Sequence, residues 1–351
     1  MLQQTTVAAV AARYDAFIAR FPDVASLARA REESVLAAWS GLGYYARARH
    51  LHRAAREIVA RHAGRIPSDP VVLRELPGFG DYIAGAVASI AFGIRAPAAE
   101  ANVTRVIARL FRVGDPPGKA RERRVLELAG ALLPDDRPGD ATAAWMDLGQ
   151  QICLPRRPRC LACPVARWCE AREAGEPERY PVRRPRPETR DVHLAAGVAR
   201  RADGRVLVVR ANGSLLSRLW RFPSAEADRP DDARSALAEE LAGYGLGLEM
   251  SGEGVLGEAR HAIMNRRISV RVYAVDAAEA TAATKGPAPQ GAAGTAAVAG
   301  TARAGTAAVA GTAVDLRWMT PGELERAAIP TLTRRIAAAA GLGRPRASRP
   351  D

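Results

Sequence analysis

The sequence predicts a multi-domain protein, an all-α first part closed by a cysteine-rich loop and then a smaller α+β part. Three observations carry this. Apolar residues recur at helical spacing, in short blocks, from the N-terminus to Ile152. All four cysteines, Cys153, Cys160, Cys163 and Cys169, follow directly as one group. After a Pro-, Glu- and Arg-rich stretch the pattern changes to short alternating blocks, the mark of strands. At 351 residues the chain has room for two domains.

Charge narrows the function. Lys and Arg number 51 against 38 Asp and Glu, a formal net charge of +13. Such a balance calls for an anionic partner, nucleic acid first among the candidates. No run of eighteen apolar residues is present, so no membrane span is expected. No basic n-region with an apolar core opens the chain, so no signal peptide is expected. Clustered thiols suit a ligand set in a reducing compartment, not disulfides spread over a secreted fold. The expected setting is cytoplasmic and nucleoid-associated.

Taken in order, the chain opens on Met1-Leu2-Gln3-Gln4-Thr5-Thr6-Val7 and runs directly into an apolar helix ending near Phe21-Pro22. A helix follows around Glu32 to Trp39, then Gly41-Leu42-Gly43-Tyr44-Tyr45-Ala46-Arg47-Ala48-Arg49, then a helix over residues 51–61 with its basic residues on one face. The GLGYYARAR stretch reads either as a Gly-rich turn with packed rings or as an aromatic wedge flanked by backbone-binding arginines. Next comes Leu76-Pro77-Gly78-Phe79-Gly80, ahead of an apolar helical run from Tyr82 to Phe92. Two glycines so close permit a tight turn and close ligand approach. Amides at the following helix start suit an anion; the alternative is an ordinary helical corner. Glu100 stands beside Asn102 at the head of another helical run, Val103 to Leu110. Helices over 121–133 and 141–152 complete the first part.

The cysteines have the spacing C-x6-C-x2-C-x5-C. Four thiolates at this density suit a tetrahedral zinc or a cubane iron–sulfur cluster. Arg156, Arg157 and Arg159 make the intervening loop basic, for phosphate or simply for solvent. The first part is expected over 1–174, a linker over 175–190 and the second part over 191–340. Within that second part, strands are expected over 192–198, 206–210, 255–258, 268–275 and, last, 316–319, with a helix over 231–242. Residues 285–314 carry GTAAVAGTA twice, at Gly294–Ala302 and Gly305–Ala313, and are expected to be an unstructured insertion.

Several motifs occur together: MLQQT, GLGYYARAR, LPGFGDYIAGA, MDLGQQIC, the four-cysteine loop and the LWRFP stretch at Leu219–Pro223 ahead of Glu239-Glu240. In this combination the chain resembles the A/G-specific adenine DNA glycosylases of the helix-hairpin-helix endonuclease III superfamily, with a Nudix-like C-terminal domain. The resemblance implies removal of adenine mispaired with 8-oxoguanine or guanine in double-stranded DNA, by base flipping. It implies a [4Fe–4S] cluster on Cys153, Cys160, Cys163 and Cys169, and a monomer. Gln3, Gln4 and Thr5 would meet the orphan base and its neighbours, Tyr44 would intercalate beside it, and Gly78 and Gly80 would grip phosphate. Tyr82 occupies the hairpin position of the Schiff-base lysine of bifunctional relatives, so a monofunctional hydrolase is implied. Glu100, with Asn102 in support, would stabilise the oxocarbenium ion, as in a retaining glycosidase.

Three departures from the family pattern stand out. The carboxylate is Glu100 where the family has aspartate, about 1.5 Å longer in reach. The family's acid glutamate falls two residues before the methionine matched by Met1, which implies either a start upstream or a catalytically impaired protein that binds the mispair. The 8-oxoguanine-reading stretch matches residues 260–267, in which His261 and Asn265 are the candidate readers. A remnant of the Nudix helix lacks its Arg-Glu pair, so pyrophosphate hydrolysis is not expected.

Overall fold

A computed structural model describes residues 1–3, 5–185, 187–211, 219–277, 305–309 and 312–342. The helices of the first part are α1 (Val7–Arg20), α2 (Val24–Arg29), α3 (Glu32–Ala38), α4 (Ala46–Arg61), α5 (Pro70–Glu75), α6 (Asp81–Phe92), α7 (Ala101–Leu110), α8 (Lys119–Ala131), α9 (Pro138–Gln151) and α10 (Glu170–Glu173). By contact the chain forms two compact units. One comprises Ile18–Ala30 and Ala46–Arg186; the other comprises Met1–Phe17, Arg31–Tyr45 and Pro187–Asp351.

In the first of these units the helices start where local chemistry lets them. Asp23 and Ser26 form a reciprocal capping box on α2, and Asp69 caps α5 with Pro70 in its first turn. Neither helix was expected from periodicity, because each spans only six residues. Ala54, Ile58, Leu73, Leu76, Ala84 and Ala88 form one core between α4, α5 and α6. Val103, Val106, Ile107 and Leu110 of α7 meet Val125, Ala129 and Leu148 in a second. Each Val, Leu or Ile among them contributes roughly 1.5–3 kcal/mol by leaving water. Tyr180, inside the expected linker, is instead buried against Ala108, Val113 and Ala171.

The other unit holds strands β1 (Arg190–Ala199), β2 (Val206–Ala211), β3 (Ser224–Ala227), β4 (Leu248–Ile263), β5 (Arg266–Ala277), β6 (Gly305–Val309) and β7 (Thr312–Met319), with α11 (Pro230–Gly243), α12 (Pro321–Arg326) and α13 (Thr331–Ala339). Among the described residues one sheet has the order β3-β1-β5-β4 and another β2-β7-β6. β1 and β5 are parallel, with Leu194 opposite Val270; the other pairings are antiparallel. Alternation along β1 feeds two cores. Val192, Leu194, Ala196 and Val198 face Ile336 and Ala337 of α13, while Ala195 and Ala199 face Leu237 and Leu241 of α11.

One sequence expectation is corrected here. Residues 285–314 were read as unstructured, yet β6 takes up part of the second GTAAVAGTA copy and pairs with β7, Ala307 opposite Val314. β7 therefore begins four residues before the expected strand, at Thr312. Small side chains do not prevent this, because an edge strand gains its ladder from backbone groups alone. Residues 278–304 lie outside the described residues.

Candidate functional site

The hairpin between α5 and α6 is built by glycine where only glycine fits. Gly78 has φ +82°, and a Cβ there would lie 2.5 Å from the Cβ of His50. Phe79 N–H donates to the Leu76 carbonyl at 3.0 Å and closes the turn. Gly80 is the N-cap of α6 and offers no side-chain acceptor, so the first-turn amides remain unpaired by the cap. Burial first, then Arg53 and Arg49, push the His50 imidazole below its ordinary pKa. Asp81, in that first turn, is paired with Arg74 at 3.2 Å.

Tyr82 follows in α6. Its hydroxyl points toward Met146 Sδ at 3.9 Å, and burial followed by the Glu100 charge pushes its pKa up. The phenol therefore stays protonated beside a carboxylate. Glu100 is the N-cap of α7: its Oε1 accepts from Val103 N–H at 3.2 Å. Among the described residues its other oxygen accepts no hydrogen bond, which leaves one oxygen for chemistry.

Behind Glu100 the structure ties α7 to the cysteine loop. Asn102 Oδ1 accepts from Arg105 Nη2 at 2.8 Å. The same buried guanidinium donates to the carbonyls of Gly149 at 2.5 Å and, through Nε, of Cys153 at 2.6 Å. One turn on, Arg109 is 1% exposed; it donates to the carbonyls of Tyr180 at 3.0 Å and Leu154 at 2.8 Å, and to Cys153 Sγ at 3.2 Å. α9 can lie this close because residue 149 is glycine: a Cβ there would sit 2.6 Å from Asn102 Cβ. Sequence reading missed both arginines. The available signal was two cations one turn apart in VTRVIARL, a helix otherwise apolar on that face.

All four cysteines are free thiols, none exposed, and they line one hollow with Arg109, Ile152 and Pro177. Burial, with Cys169 and Cys153 nearby, pushes the Cys160 thiol up; burial likewise raises Cys163. Among the described residues no three metal-ligating side chains close on a single-ion point. Four thiols lining one hollow with a buried guanidinium fit an anionic iron–sulfur group in chemistry.

In the other unit the loop over residues 41–45 is fixed at several points. Gly41 at φ +95° sits over the Arg13 guanidinium, Trp39 Nε1 donates to the Gly43 carbonyl at 3.2 Å, and Thr5 Oγ1 donates to the Leu42 carbonyl or that of Gln3, each at 3.3 Å. Tyr44, at φ +45°, is 58% exposed. Gln4 lies outside the described residues. In the Nudix-like part Glu240 accepts from Arg221 at 3.4 Å and from the Tyr244 hydroxyl, so an arginine stands where a Nudix enzyme would need a cation. Asn265 donates to the Glu188 carbonyl at 3.0 Å, and burial followed by Arg335 pushes His261 down.

Comparison with known proteins agrees with this anatomy. The model of the HhH-GPD superfamily base excision DNA repair proteins matches residues 1–130, and that of the NUDIX domain matches residues 195–339. The adenine DNA glycosylase of Mycolicibacterium smegmatis is 36% identical over 263 residues, covering 72% of this chain and 86% of the relative. The chain belongs to the adenine DNA glycosylase family. The human family member is 31% identical over 384 residues, covering 96% of this chain; the chain spans 66% of that relative's length, just under two thirds. A thermostable thymine-DNA glycosylase of known structure matches 49% of this chain and 80% of its own, at 29% identity and a TM-score of 0.44. Family membership bears out the expected fold class, a helical helix-hairpin-helix part followed by a Nudix-like α+β part. No helix among the described residues is long and apolar enough to cross a membrane.

Proposed function

We propose that the protein is a monofunctional adenine DNA glycosylase, acting as a monomer on A:8-oxoguanine or A:G mispairs in double-stranded DNA at the nucleoid. The observation that carries this reading is Glu100. It caps α7 with one oxygen and keeps the other available, while Tyr82, on the helix that follows the glycine hairpin, is held protonated by burial and by the Glu100 charge. Rupture of the bond between C1′ and the adenine leaves positive charge on the sugar. A carboxylate at hand stabilises that charge only as it develops, which is where binding energy accelerates the step. The departing purine needs a proton from an acid, and water completes the hydrolysis. Tyr82 has no amine, so no Schiff base forms and the strand stays intact.

Gly78 makes the turn and Gly80, an N-cap with no side chain, leaves the first-turn amides of α6 open to a phosphate; Tyr44 supplies the wedge, with Gln3, Gln4 and Thr5 beside the orphan base. Cys153, Cys160, Cys163 and Cys169 hold a [4Fe–4S] cluster, which when bound cross-links the loop after α9. Arg109 offsets its negative charge and Arg105 holds that loop against the start of α7. The catalytic part is assigned to 1–174, a linker to 175–190 and the Nudix-like part to 191–340. The test is single-turnover excision by this protein. Adenine should leave the A:8-oxoguanine duplex, with strand scission only after alkali, and Glu100→Gln should slow release by at least about 10²-fold with binding retained. No release from either mispair overturns the reading.

A further inference from the structure

The Tyr44 loop belongs, by its contacts, to the same compact unit as the Nudix-like part. Tyr45 is buried, and its hydroxyl donates to the Ile329 carbonyl at 2.7 Å. Ser40 Oγ lies 3.4 Å from that carbonyl and accepts from Arg334 Nη2 at 2.8 Å. Further back, on α3, Glu33 accepts from Trp220 Nε1 at 3.1 Å and lies 3.9 Å from Arg210, whose guanidinium stacks 4.4 Å over the Trp220 ring. Residues 33 to 45 are thus held at two points by residues 210 to 334. These points flank a loop of strained backbone, with Gly41, Gly43 and Tyr44 all at positive φ. A non-glycine residue at positive φ persists only where its surroundings over-determine it.

We propose that Tyr45 is a positioning residue for Tyr44: its hydrogen bond to Ile329 of the Nudix-like part fixes the backbone that presents the exposed Tyr44 ring to DNA. The inference rests on the reading of Tyr44 as a wedge. It gives the C-terminal part a task in mispair recognition besides reading the lesion. It also accounts for two adjacent tyrosines with opposite fates, one 58% exposed and the other 8%. Without the hydroxyl the Ile329 carbonyl loses its short donor, and the loop loses the contact next in sequence to the wedge. Tyr45→Phe preserves the ring's packing and removes only that donor.

The test measures binding of the full chain to mispaired and matched duplexes, with 2-aminopurine beside the orphan base to report unstacking. Tyr45→Phe should weaken mispair binding about fivefold to tenfold, the worth of about one hydrogen bond. It should reduce the 2-aminopurine rise and leave matched-duplex binding and iron content unchanged. In a Tyr44→Ala background, Tyr45→Phe should have no further effect on either readout. An independent loss there would mean that Tyr45 supports the fold generally, and it would overturn the proposal. So would a Tyr45→Phe protein indistinguishable from wild type while Tyr44→Ala abolishes the 2-aminopurine signal. If Tyr44→Ala itself changes nothing, the wedge reading fails, and the proposal fails with it in a recognisably different way.

Discussion

Glu100 has to serve two demands with one side chain. As N-cap it gives an acceptor to Val103 N–H, and in the proposed reaction it would supply the anion that stabilises the sugar. The two roles separate by substitution. Glu100→Gln retains a carbonyl oxygen for the cap, so its melting temperature should stay close to wild type while excision falls. Glu100→Ala removes both and should cost about 1 kcal/mol of stability as well, the usual worth of a lost N-cap; thermal denaturation distinguishes the variants. His50 offers a second check at this scale. Its pKa is depressed in the folded protein, so folding favours the neutral ring. Its contribution to stability is therefore complete above the ordinary value of 6.5 and is lost as pH falls through the depressed one. An NMR titration should find the His50 midpoint below 6.5 in the free protein and higher in the DNA complex, because phosphate at the hairpin favours the imidazolium. A midpoint that DNA leaves unmoved would argue that phosphate binds elsewhere.

At the scale of elements, α7 and α9 are the pair on which the site depends. Gly149→Ala would put a methyl group 2.6 Å from Asn102 Cβ and 2.9 Å from its carbonyl oxygen. Backbone on that side has little freedom to yield, so denaturant unfolding should show a loss of about 1–3 kcal/mol. Arg105→Met keeps the bulk but withdraws donors from Asn102, Gly149 and Cys153. We expect a loss of about 2–3 kcal/mol, as buried acceptors go unpaired, together with sub-stoichiometric iron; full iron with an unchanged unfolding midpoint would contradict it. This interface also marks the limit of sequence reading. Gly78 and the helical blocks announced themselves through residue type and spacing, because a turn and a helix impose local requirements; the spacing of the cysteines likewise placed them around one hollow. Arg105 and Arg109 did not, since most of their partners are backbone carbonyls 44 or more residues away that any sequence could supply. The short helices α2 and α5 escaped periodicity, and their caps, Asp23 and Asp69, show themselves only in the structure. β6 was hidden by composition, for its pairing is a property of the neighbouring strand's open edge.

For the whole molecule the governing quantity is the +13 charge, borne mostly by arginine. Net charge alone does not give the number of phosphates touched; the slope of log affinity against log salt does, at about 0.9 per contact. Arginines on α4 and in the loop from 156 to 159 give the chain ample means for six or more contacts. With roughly six to ten contacts, duplex affinity should fall by about 10³–10⁵ between 50 and 200 mM salt. Tyr44 enters this relation differently. An aromatic wedge gains from stacking, worth about 1–3 kcal/mol per base, and releases no counterion. Tyr44→Ala should therefore shift the whole salt line downward by roughly tenfold to a hundredfold without changing its slope, and the shift should be confined to the mispaired duplex. Anisotropy titrations over a salt series, on matched and mispaired DNA, measure both quantities together. A slope shallower by about one would mean that the substitution also displaced a phosphate contact, and an equal shift on matched DNA would make Tyr44 a packing residue instead of a wedge.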